Sequence, residues 1–370
     1  MLLKKNKGIT LVALVVTIVI LLILAGISIS ALTNTGIFQK AKDAKSASEN
    51  AEKEQNKILD EYETQLDQYN ESTLVYKVNN GIVKIGDYVS YTPDEASTDE
   101  ILDELGKYSG ATENKSSTLL QETLNWRVLD VKDGHVRLIS AEPTDLKITL
   151  SGAKGYNNAV YLLDKTCKTL YYNSKLSSEV QNLKIEDIQN HLTYDYTQYE
   201  NADVEKYGIT KEYTTNIKYP NIFAREKTGM VDGKKGTELD FSEQMKPIDE
   251  TITVAKTNIN AKQTNWSKEL NTDDFEDKKY YELFINNTDN YYEKYWMSSR
   301  CVDTRSDFVI FYIRGVNSGY ASAGTLFIST GKENSPTCAL RPIITLNANV
   351  KLDPTNTGDG TSPEQAYVIK

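Results

Sequence analysis

The sequence predicts an α+β protein in which a long N-terminal α-helix, first transmembrane and then an amphipathic stalk, carries a mixed α/β head. Three observations lead to this fold class. An apolar run without any charged residue extends from Ile9 to Leu32, and a helical pattern of small apolar residues follows it as far as residue 70. Beyond residue 70, short alternating segments typical of strands are interspersed with a few helical ones.

The apolar run from Ile9 to Leu32 is long enough for a membrane span. At ~1.5 Å of rise per residue it reaches ~36 Å as a helix, whereas the hydrocarbon core of a bilayer is ~30 Å thick. The lysines Lys4, Lys5 and Lys7 precede the run and place the N-terminus in the cytoplasm. We therefore expect a single-pass protein of the cytoplasmic membrane, held through residues 9–32, with its C-terminal head outside the cell.

The junction Lys7-Gly8-Ile9-Thr10-Leu11 separates a basic leader, residues 1–8, from the apolar run. A secretory signal peptide has an apolar core of about 7–15 residues followed by its cleavage site, and this run is longer. Basic residues, a glycine and an apolar helix led by Thr-Leu resemble the type IV prepilin signal, over the first thirty or so residues. The resemblance implies cleavage between Gly8 and Ile9 by prepilin peptidase, methylation of the new N-terminus, and other pilin subunits as partners. An uncleaved signal anchor is the alternative.

One position departs from the prepilin pattern. Type IV pilins usually carry glutamate at the fifth residue after the cleavage site, which is Ala13 in this sequence. In that family the glutamate meets the N-terminal amine of a neighbouring subunit inside the filament. Its absence favours a minor or capping subunit, at the cell surface or the pilus tip, over a subunit that polymerises repetitively.

The predicted stalk completes one pilin-like helix over residues 9–70. Lysine and glutamate occupy the face opposite a narrow apolar stripe, and small residues in the stripe suit close packing against a neighbouring helix or sheet. A short coiled coil is the alternative. The stripe consists of Ile37, Ala41, Ala44, Ala47, Ala51, Ile58, Tyr62, Leu66 and Tyr69.

A connecting β segment and loop, residues 71–123, follows the stalk. Two runs, 74–78 and 82–90, have the pattern of strands, and Asn79-Asn80-Gly81 between them predicts a hairpin. Residues 93–120 are acidic and rich in Ser and Thr, which indicates a surface loop. Within that loop, residues 100–105 have the pattern of a short helix.

The head is predicted over residues 124–352, with a long loop-rich insertion at 194–290 and a C-terminal tail at 353–370. Residues 126–131 and 136–140, joined by Asp133-Gly134, predict a β-hairpin. Helical spacing predicts helices at 162–170 and 185–192. Strand-like patterns predict strands at 295–300, 308–314, 323–329, 340–346 and 366–369.

The composition excludes several classes of function. The net charge of −10 becomes −13 once the three leader lysines are removed, and an acidic protein lacks the basic surface that nucleic acids require. The two histidines, His135 and His191, leave little material for a zinc site or a catalytic triad, and we interpret both as structural or surface residues. We expect no nucleic-acid partner, no cofactor and no metal.

Tyrosine and cysteine usage is less decisive. The 24 tyrosines against 8 phenylalanines suit an adaptable recognition surface, although strands also favour tyrosine. Cys167, Cys301 and Cys338 are spaced too widely for a metal knuckle, and a Cys301–Cys338 disulfide stays an alternative to separate thiols. The tail residues Asp353 and Asp359, with Asn356 between them, match no EF-hand loop, which favours a turn.

Five motifs occur in a fixed order along the head. They are Trp126-Arg127-Val128-Leu129, residues 152–158, residues 184–188, Trp296-Met297-Ser298-Ser299-Arg300, and Leu340-Arg341-Pro342-Ile343-Ile344. The set resembles a C-terminal domain of many Firmicutes surface proteins. Through that domain it resembles the C-type-lectin-like fold of formylglycine-generating-enzyme relatives and of diversity-generating-retroelement variable proteins. The resemblance covers roughly residues 124–350 and implies a C-type-lectin-like ligand-binding head.

In the diversified proteins the variable stretch lies between the Trp strand and the closing Arg-Pro strand, and Cys301 to Cys338 matches it here. Aromatic and small polar residues in this stretch punctuate a glycine-spaced frame, as in adaptable binding faces. An ordinary exposed β-meander is the alternative. The ligand-binding residues implied are Asp303, Arg305, Asp307, Phe311, Tyr312, Arg314, Asn317, Tyr320, Ser322, Phe327, Lys332 and Asn334.

The resemblance brings no catalytic or calcium site with it. The sequence has no Glu-Pro-Asn, Gln-Pro-Asp or Trp-Asn-Asp triplet of calcium-dependent lectins, and Cys301 and Cys338 are too far apart for the copper-binding pair of the enzymes. No serine-hydrolase, zinc-protease or phosphate-loop motif occurs. We expect a minor pilin or pilin-like surface protein that displays an adhesive head to a protein or glycan ligand, and no enzymatic activity. The alternatives are a pseudopilin of a secretion or DNA-uptake machine and a membrane-anchored surface hydrolase.

Overall fold

The structure is a computed structural model of the 370-residue chain. It describes residues 14–22, 72–111, 119–194, 208–220, 222–223, 230–231, 234–235, 238–239, 252–260, 268–285, 295–304 and 308–370, and the single residues Lys45, Ser48, Gln55 and Lys57. The chain divides into two compact units, Met1–Leu66 and Asp67–Lys370.

In the part of the chain that the structure describes, the long N-terminal helix of the predicted fold class is not found, so that part of the prediction is wrong. Among the described residues of the first unit, helical backbone covers residues 14–22 and the four single positions. None of the helices in the described part of the chain combines the length and the apolar character needed to cross a membrane. Apolar periodicity alone does not make a long helix, because most helical stability comes from packing of the apolar face. The rest of the predicted stalk lies outside the described residues.

The helices of the second unit are short apart from one. Over its described residues they are α1 Leu74–Asn79, α2 Asp99–Tyr108, α3 Gly152–Tyr171, α4 Ile185–Gln189 and α5 Lys278–Phe284, with 3-10 turns at Thr272–Asp274 and Pro363–Gln365.

Strands are the predominant secondary structure among the described residues of the second unit. In chain order they are β1 Tyr88–Ser90, β2 Trp126–Lys132, β3 His135–Ser140, β4 Lys147–Thr149, β5 Ser177–Asn182, β6 Gly208–Tyr219, β7 Ile222–Phe223, β8 Met230–Val231, β9 Lys234–Lys235, β10 Glu238–Leu239, β11 Ile252–Asn260, β12 Lys268–Glu269, β13 Tyr295–Thr304, β14 Val309–Asn317, β15 Tyr320–Ile328, β16 Lys332–Glu333, β17 Thr337–Ala339, β18 Pro342–Leu346, β19 Leu352–Thr357 and β20 Tyr367–Ile369.

Fourteen of these strands form two seven-stranded mixed sheets. Sheet 1 has the order β19-β20-β1-β2-β3-β18-β5, and sheet 2 has the order β12-β15-β14-β13-β17-β4, with β16 paired to β15. Each sheet contains one parallel pair, β1 with β20 and β13 with β17, among antiparallel ones. The regular structure of the second unit is therefore mostly strands with few helices. This corrects the predicted α+β class with its long helix.

The hairpin predicted around Asp133-Gly134 is confirmed. Strands β2 and β3 pair antiparallel from Trp126↔Ser140 to Lys132↔His135. Asp133 and Gly134 both have positive φ, 50° and 78°, as a two-residue turn of this type requires. A register shift between Val128 and Asp130 marks a bulge in β2, which brings Asp130 opposite Arg137.

The hairpin predicted around Asn79-Asn80-Gly81 is wrong, because residues 74–79 form helix α1. The side chain of Thr73 caps this helix by accepting a hydrogen bond from the Tyr76 N–H at 3.2 Å. At the other end, the Asn80 N–H donates to the Tyr76 carbonyl. The Asn-Gly pair therefore ends a helix here, and only residues 88–90 of the following run form a strand.

The sequence predicts loops for the insertion at 194–290, but the structure also has strands and a helix there. Strands β6 and β11 pair antiparallel within it. Helix α5 begins after Asp277, whose side chain accepts the Lys279 N–H, and it buries Tyr280, Leu283 and Phe284. Spacing of three and four residues places these side chains on one helix face, where they join the core of the head.

Helix α3 lies between the two sheets. It contacts β5 and β18 of sheet 1 and β13, β14 and β15 of sheet 2. The predicted apolar face at Leu162, Leu163, Cys167 and Leu170 is confirmed, since all four side chains are buried. Each buried leucine of this face contributes about 1.5–3 kcal/mol relative to exposure.

Asn182, at the end of β5, joins the two sheets through its buried side-chain amide. Its Oδ1 accepts the backbone N–H of Arg341 at 2.8 Å, where the chain passes from sheet 2 into sheet 1. Its Nδ2 donates to the Trp296 carbonyl at 2.8 Å, at the irregularity that interrupts the pairing of β13 with β14. The Asn182 backbone N–H donates to Asp164 of α3 at 3.0 Å. One residue thus links both sheets and the helix between them.

We expect Asn182→Ala to lower the free energy of unfolding of the full-length chain by about 3 kcal/mol, because it strands a buried N–H and a buried carbonyl. Urea denaturation followed by tryptophan fluorescence measures this loss. The matched control is Asn347→Ala, since the Asn347 amide donates to the Lys175 carbonyl in a solvent-exposed hydrogen bond. We expect the control to change stability by no more than about 0.5 kcal/mol, and equal losses would contradict the assigned role.

Candidate functional site

A pocket of about 480 Å³ opens on the surface of the second unit. Its walls come from four separate stretches of chain: the end of α1, the β2–β3 hairpin, the turn after α4, and the segment that leads into α5. Charged and polar groups line it from Asp130, Arg137, His191, Glu276 and Tyr280.

Arg137 is the buried centre of the pocket's charge network. Its Nε donates to Asp130 Oδ1 at 2.7 Å and its Nη2 to Asp130 Oδ2, which forms a two-pronged contact across the hairpin. Its Nη1 donates to Asp187 Oδ1 of α4 at 2.5 Å. All three residues are buried. Burial alone lowers the pKa of Arg137, but the two carboxylates outweigh it and raise that pKa, so Arg137 stays charged.

His191 lies between two carboxylates on the wall of the pocket. Its Nδ1 is 2.7 Å from Glu276 Oε1 and its Nε2 is 3.1 Å from Asp130 Oδ2. Burial alone lowers the pKa of His191, but hydrogen bonds to Asp130 and Glu276 and their charges raise it above its ordinary value of 6.5. The ring therefore favours the imidazolium form, in which both nitrogens donate.

The same contacts define what His191 is able to do. A doubly protonated imidazole has no lone pair, so it neither binds a metal ion nor accepts a proton as a general base. The Tyr280 ring stacks on it with centroids 3.7 Å apart and planes at 11°, and Phe284 stacks behind. In its imidazolium form, His191 is a cation held by two anions and an aromatic face.

Asp130 connects the histidine to the arginine. Burial alone raises the pKa of Asp130, but hydrogen bonds from Arg137 and His191 hold it below the ordinary value of 3.8. The remaining pocket wall is less constrained, because Lys132, Asn79 and Asn190 are exposed and Val131 and Ile85 are half-buried. A small ligand would meet exposed amide and ammonium groups beside an apolar patch, with the charge network as a rigid floor.

The structure does not bring the predicted ligand-binding residues together on one surface. Phe311 and Phe327, which the resemblance implies as ligand contacts, are both buried in the core with ring centroids 5.9 Å apart. Phe311 also meets Tyr156 of α3 at 5.2 Å. Strand alternation puts Tyr312 on the sheet face opposite Phe311.

Charged members of the predicted set are also mostly inaccessible. Arg314 has no exposed surface and Asp303 is buried, so neither reaches a ligand in solution. Arg305 and Asp307 lie outside the described residues.

The other predicted residues are at least partly accessible. Tyr320 is 41% exposed, and its hydroxyl donates to Glu269 of β12 at 3.1 Å. Lys332 is exposed. Half-buried positions are held by Tyr312, Asn317, Ser322 and Asn334. These residues lie on β14, β15 and β16 and in the segment just after β16.

The motifs behind the domain resemblance have packing roles in this structure. Trp296 is fully buried and its indole N–H donates to the Ile148 carbonyl at 2.8 Å. A β-carbon on Gly324 would lie 2.8 Å from the Trp296 ring, so that glycine makes room for the ring. Arg300 Nε donates to the Tyr156 carbonyl at 2.8 Å. Arg341 Nη2 donates to the carbonyls of Ala141 and Leu283 at 3.0 and 2.7 Å.

Two minor expectations are settled by local geometry. Cys301 and Cys338 are separate buried thiols, so the disulfide alternative does not hold. Asp353 Oδ1 accepts the Thr355 N–H at 2.9 Å and Asp359 Oδ1 accepts the Thr361 N–H at 3.0 Å, which are the bonds of local turns.

The sequence did not reveal the pocket. The network comes from three stretches that are far apart in the chain, Asp130 with Arg137, Asp187 with His191, and Glu276, and the sequence predicts a structural or surface role for His191. The available signal is the pair Asp130 and Arg137 on the two arms of the predicted β-hairpin, since cross-strand neighbours of opposite charge are common partners.

No family model, curated protein sequence or solved structure matches this chain. The resemblance to prepilins and to C-type-lectin-like domains therefore stays a prediction from the sequence.

We expect Arg137→Met to lower the free energy of unfolding by about 3–5 kcal/mol, because Asp130 and Asp187 would then be buried without their cation. Chemical denaturation of the full-length chain measures it. Lys165→Met is the control: Lys165 pairs with Glu100 and Glu104 near the surface, and such pairs contribute about 0–1 kcal/mol. A similar small loss for both variants would show that the Arg137 network contributes little.

Proposed function

We propose that this chain is a pilin-like surface protein whose second unit, Asp67–Lys370, binds a small extracellular ligand in the His191 pocket. The observation that carries the proposal is the pocket itself. Four separate stretches of chain converge on it, and a buried network of two aspartates, one arginine and one histidine fixes its floor.

The pocket has the size and composition of a binding site. Its volume of about 480 Å³ lies within the 300–1,000 Å³ typical of small-ligand pockets. Apolar wall from Val131 and Ile85 adjoins exposed polar groups from Lys132 and Asn190. Side chains that are already paired and stacked need no reordering when a ligand enters, which favours affinity.

The N-terminal unit supports the pilin-like part of the proposal. The junction of Lys7, Gly8 and Ile9 has the pattern that prepilin peptidase cleaves. In the described segment 14–22, large apolar side chains face outwards, with Leu21 and Leu22 60% and 68% exposed. Apolar surface of this kind needs cover. In this proposal the membrane and neighbouring pilin subunits provide it, and the second unit is displayed outside the cell.

The exposed apolar side chains of segment 14–22 equally favour a second function. A pseudopilin docks with sibling subunits through its N-terminal segment and requires no external ligand. The two functions share the leader and differ in whether the pocket is used.

Ligand binding is tested by screening soluble glycans and peptides for an increase in the melting temperature of the full-length chain. At about 100 times Kd, a ligand adds about 2.7 kcal/mol to stability. We expect Asn190→Trp, which fills the pocket from its exposed rim, to abolish the increase.

Tyr320→Ala is the matched control for that screen, because it removes the exposed aromatic residue of the originally predicted face. We expect it to leave the increase unchanged. Loss of the response in Tyr320→Ala with retention in Asn190→Trp would move the binding site to sheet 2. A panel without any response would favour the pseudopilin function.

Processing is tested by mass spectrometry of the N-terminus in membranes of cells that express a prepilin peptidase. We expect the mature chain to begin at a methylated Ile9, and Gly8→Val to retain the leader because the peptidase requires a small residue there. Gly26→Val is the control within the apolar run, and it should be processed normally. An intact Met1 in the wild-type chain would remove the pilin-like part of the proposal.

A further inference from the structure

We propose that the proton on His191 controls access to the pocket: the imidazolium holds the segment 268–285 against strand β2, and loss of the proton releases Glu276 and loosens that wall. This rests on the proposed function only in treating the pocket as the ligand site. The contacts that carry it are those of His191 itself.

The segment 268–285 meets the turn after α4 through a short backbone ladder. The Glu276 N–H donates to the His191 carbonyl at 3.0 Å, and the Thr193 N–H donates to the Asp274 carbonyl at 2.9 Å. Leu192 and Phe275 form an isolated bridge between them. The His191 side chain then extends this contact to β2 through Asp130. Three separate stretches of chain therefore meet at one imidazole ring.

The surroundings of His191 are strongly charged on every side. Strand β2 presents Asp130 directly and Lys132 on the same pocket wall. Strand β3 presents Arg137, which is paired with Asp130 and with Asp187 of α4. The segment before α5 presents Glu276 directly and Asp277 next to it, and α5 presents Tyr280 face to face.

A single proton decides whether both carboxylates are satisfied. A neutral imidazole has one N–H, so it serves one carboxylate while its lone pair faces the other. Asp130 is buried and also held by Arg137, whereas the Glu276 side chain is 54% exposed. Water therefore replaces the imidazole more readily at Glu276 than at Asp130, and Glu276 is the group released.

The direction of the pH dependence follows from the raised pKa of His191. A group whose pKa is higher in the folded than in the unfolded protein stabilises the fold below its unfolded value, near 6.5 for histidine. That stabilisation is lost as the pH rises through the raised folded value. We call the contacts of His191 with Asp130 and Glu276 the clamp. The clamp is therefore closed in mildly acidic solution and opens on the alkaline side of pH 6.5.

Opening changes the pocket because the clamp supplies its wall. Glu276 and Tyr280 both line the cavity, and Tyr280 sits on α5 directly beyond the released residue. The imidazolium also attracts the face of the Tyr280 ring, an attraction that the neutral ring lacks. Deprotonation thus weakens two contacts of the same wall.

The experiment combines histidine NMR with hydrogen exchange on the ligand-free full-length chain. With ¹³C-labelled histidine only two signals arise, from His191 and His135. We expect the pKa of His191 to lie above the ordinary histidine value of 6.5. Exchange of residues 268–285, corrected for its intrinsic rate, should rise by up to about tenfold per pH unit between about pH 6.5 and the raised His191 pKa, and should level off above it.

Two variants and one control sharpen the result. Glu276→Gln removes one of the two anions, so the His191 pKa should fall and opening should begin at lower pH. His191→Gln should abolish the pH dependence. Glu282→Gln is the control on the same segment: Glu282 accepts a hydrogen bond from Lys279 at 2.8 Å and lies 3.9 Å from Arg127 of β2, so it shows whether losing a different carboxylate beside β2 has the same effect. Glu276→Gln alone suffices if His191→Gln fails to fold.

A His191 pKa at or below its ordinary value of 6.5 would overturn the inference. So would loss of the His191 proton without faster exchange at 268–285. Because this experiment contains no ligand, its outcome is separate from that of the ligand screen. If exchange rises as expected but no ligand is found, only the proposed function is contradicted. If a ligand binds but exchange does not change with pH, only the clamp is contradicted.

Discussion

The architecture of the second unit depends on satisfying backbone groups where its two sheets meet. The chain leaves sheet 2 after β17 and enters sheet 1 at β18, and the Arg341 N–H at this crossing is buried. Asn182 accepts that N–H and donates to the Trp296 carbonyl in the other sheet. An unpaired buried amide costs about 1–3 kcal/mol, so a short amide side chain at this crossing is a condition of the fold.

Charge in the interior follows the same rule. Arg137 is neutralised by Asp130 and Asp187, while Arg300 and Arg341 donate to main-chain carbonyls. These arginines fix the relative positions of strands and helices, because a planar guanidinium satisfies several acceptors from different elements at once. The pocket is where this interior network reaches the surface, and His191 with Glu276 forms its outermost link.

Local pattern predicted local structure well. The β2–β3 hairpin and the apolar face of α3 follow from a two-residue turn with positive φ and from helical spacing. Pattern failed where two structures share one signal. Asn80-Gly81 suits both a hairpin turn and a helix end, and the Thr73 cap decided for the helix. Phe311 and Phe327 are residue types typical of binding faces, yet Phe311 packs against Tyr156 of helix α3.

The sequence by itself determined the acidic character, the basic leader before an apolar run, and the short-range elements, because these depend on neighbours a few residues apart. Only the tertiary structure decided which residues form a site. Asp130, Asp187 with His191, and Glu276 come from three stretches of chain, and the imidazolium form of His191 is favoured because two carboxylates flank it. Long-range contacts of this kind leave no periodic signal in a single sequence, since each partner is fixed by the packing of sheets and helices far along the chain.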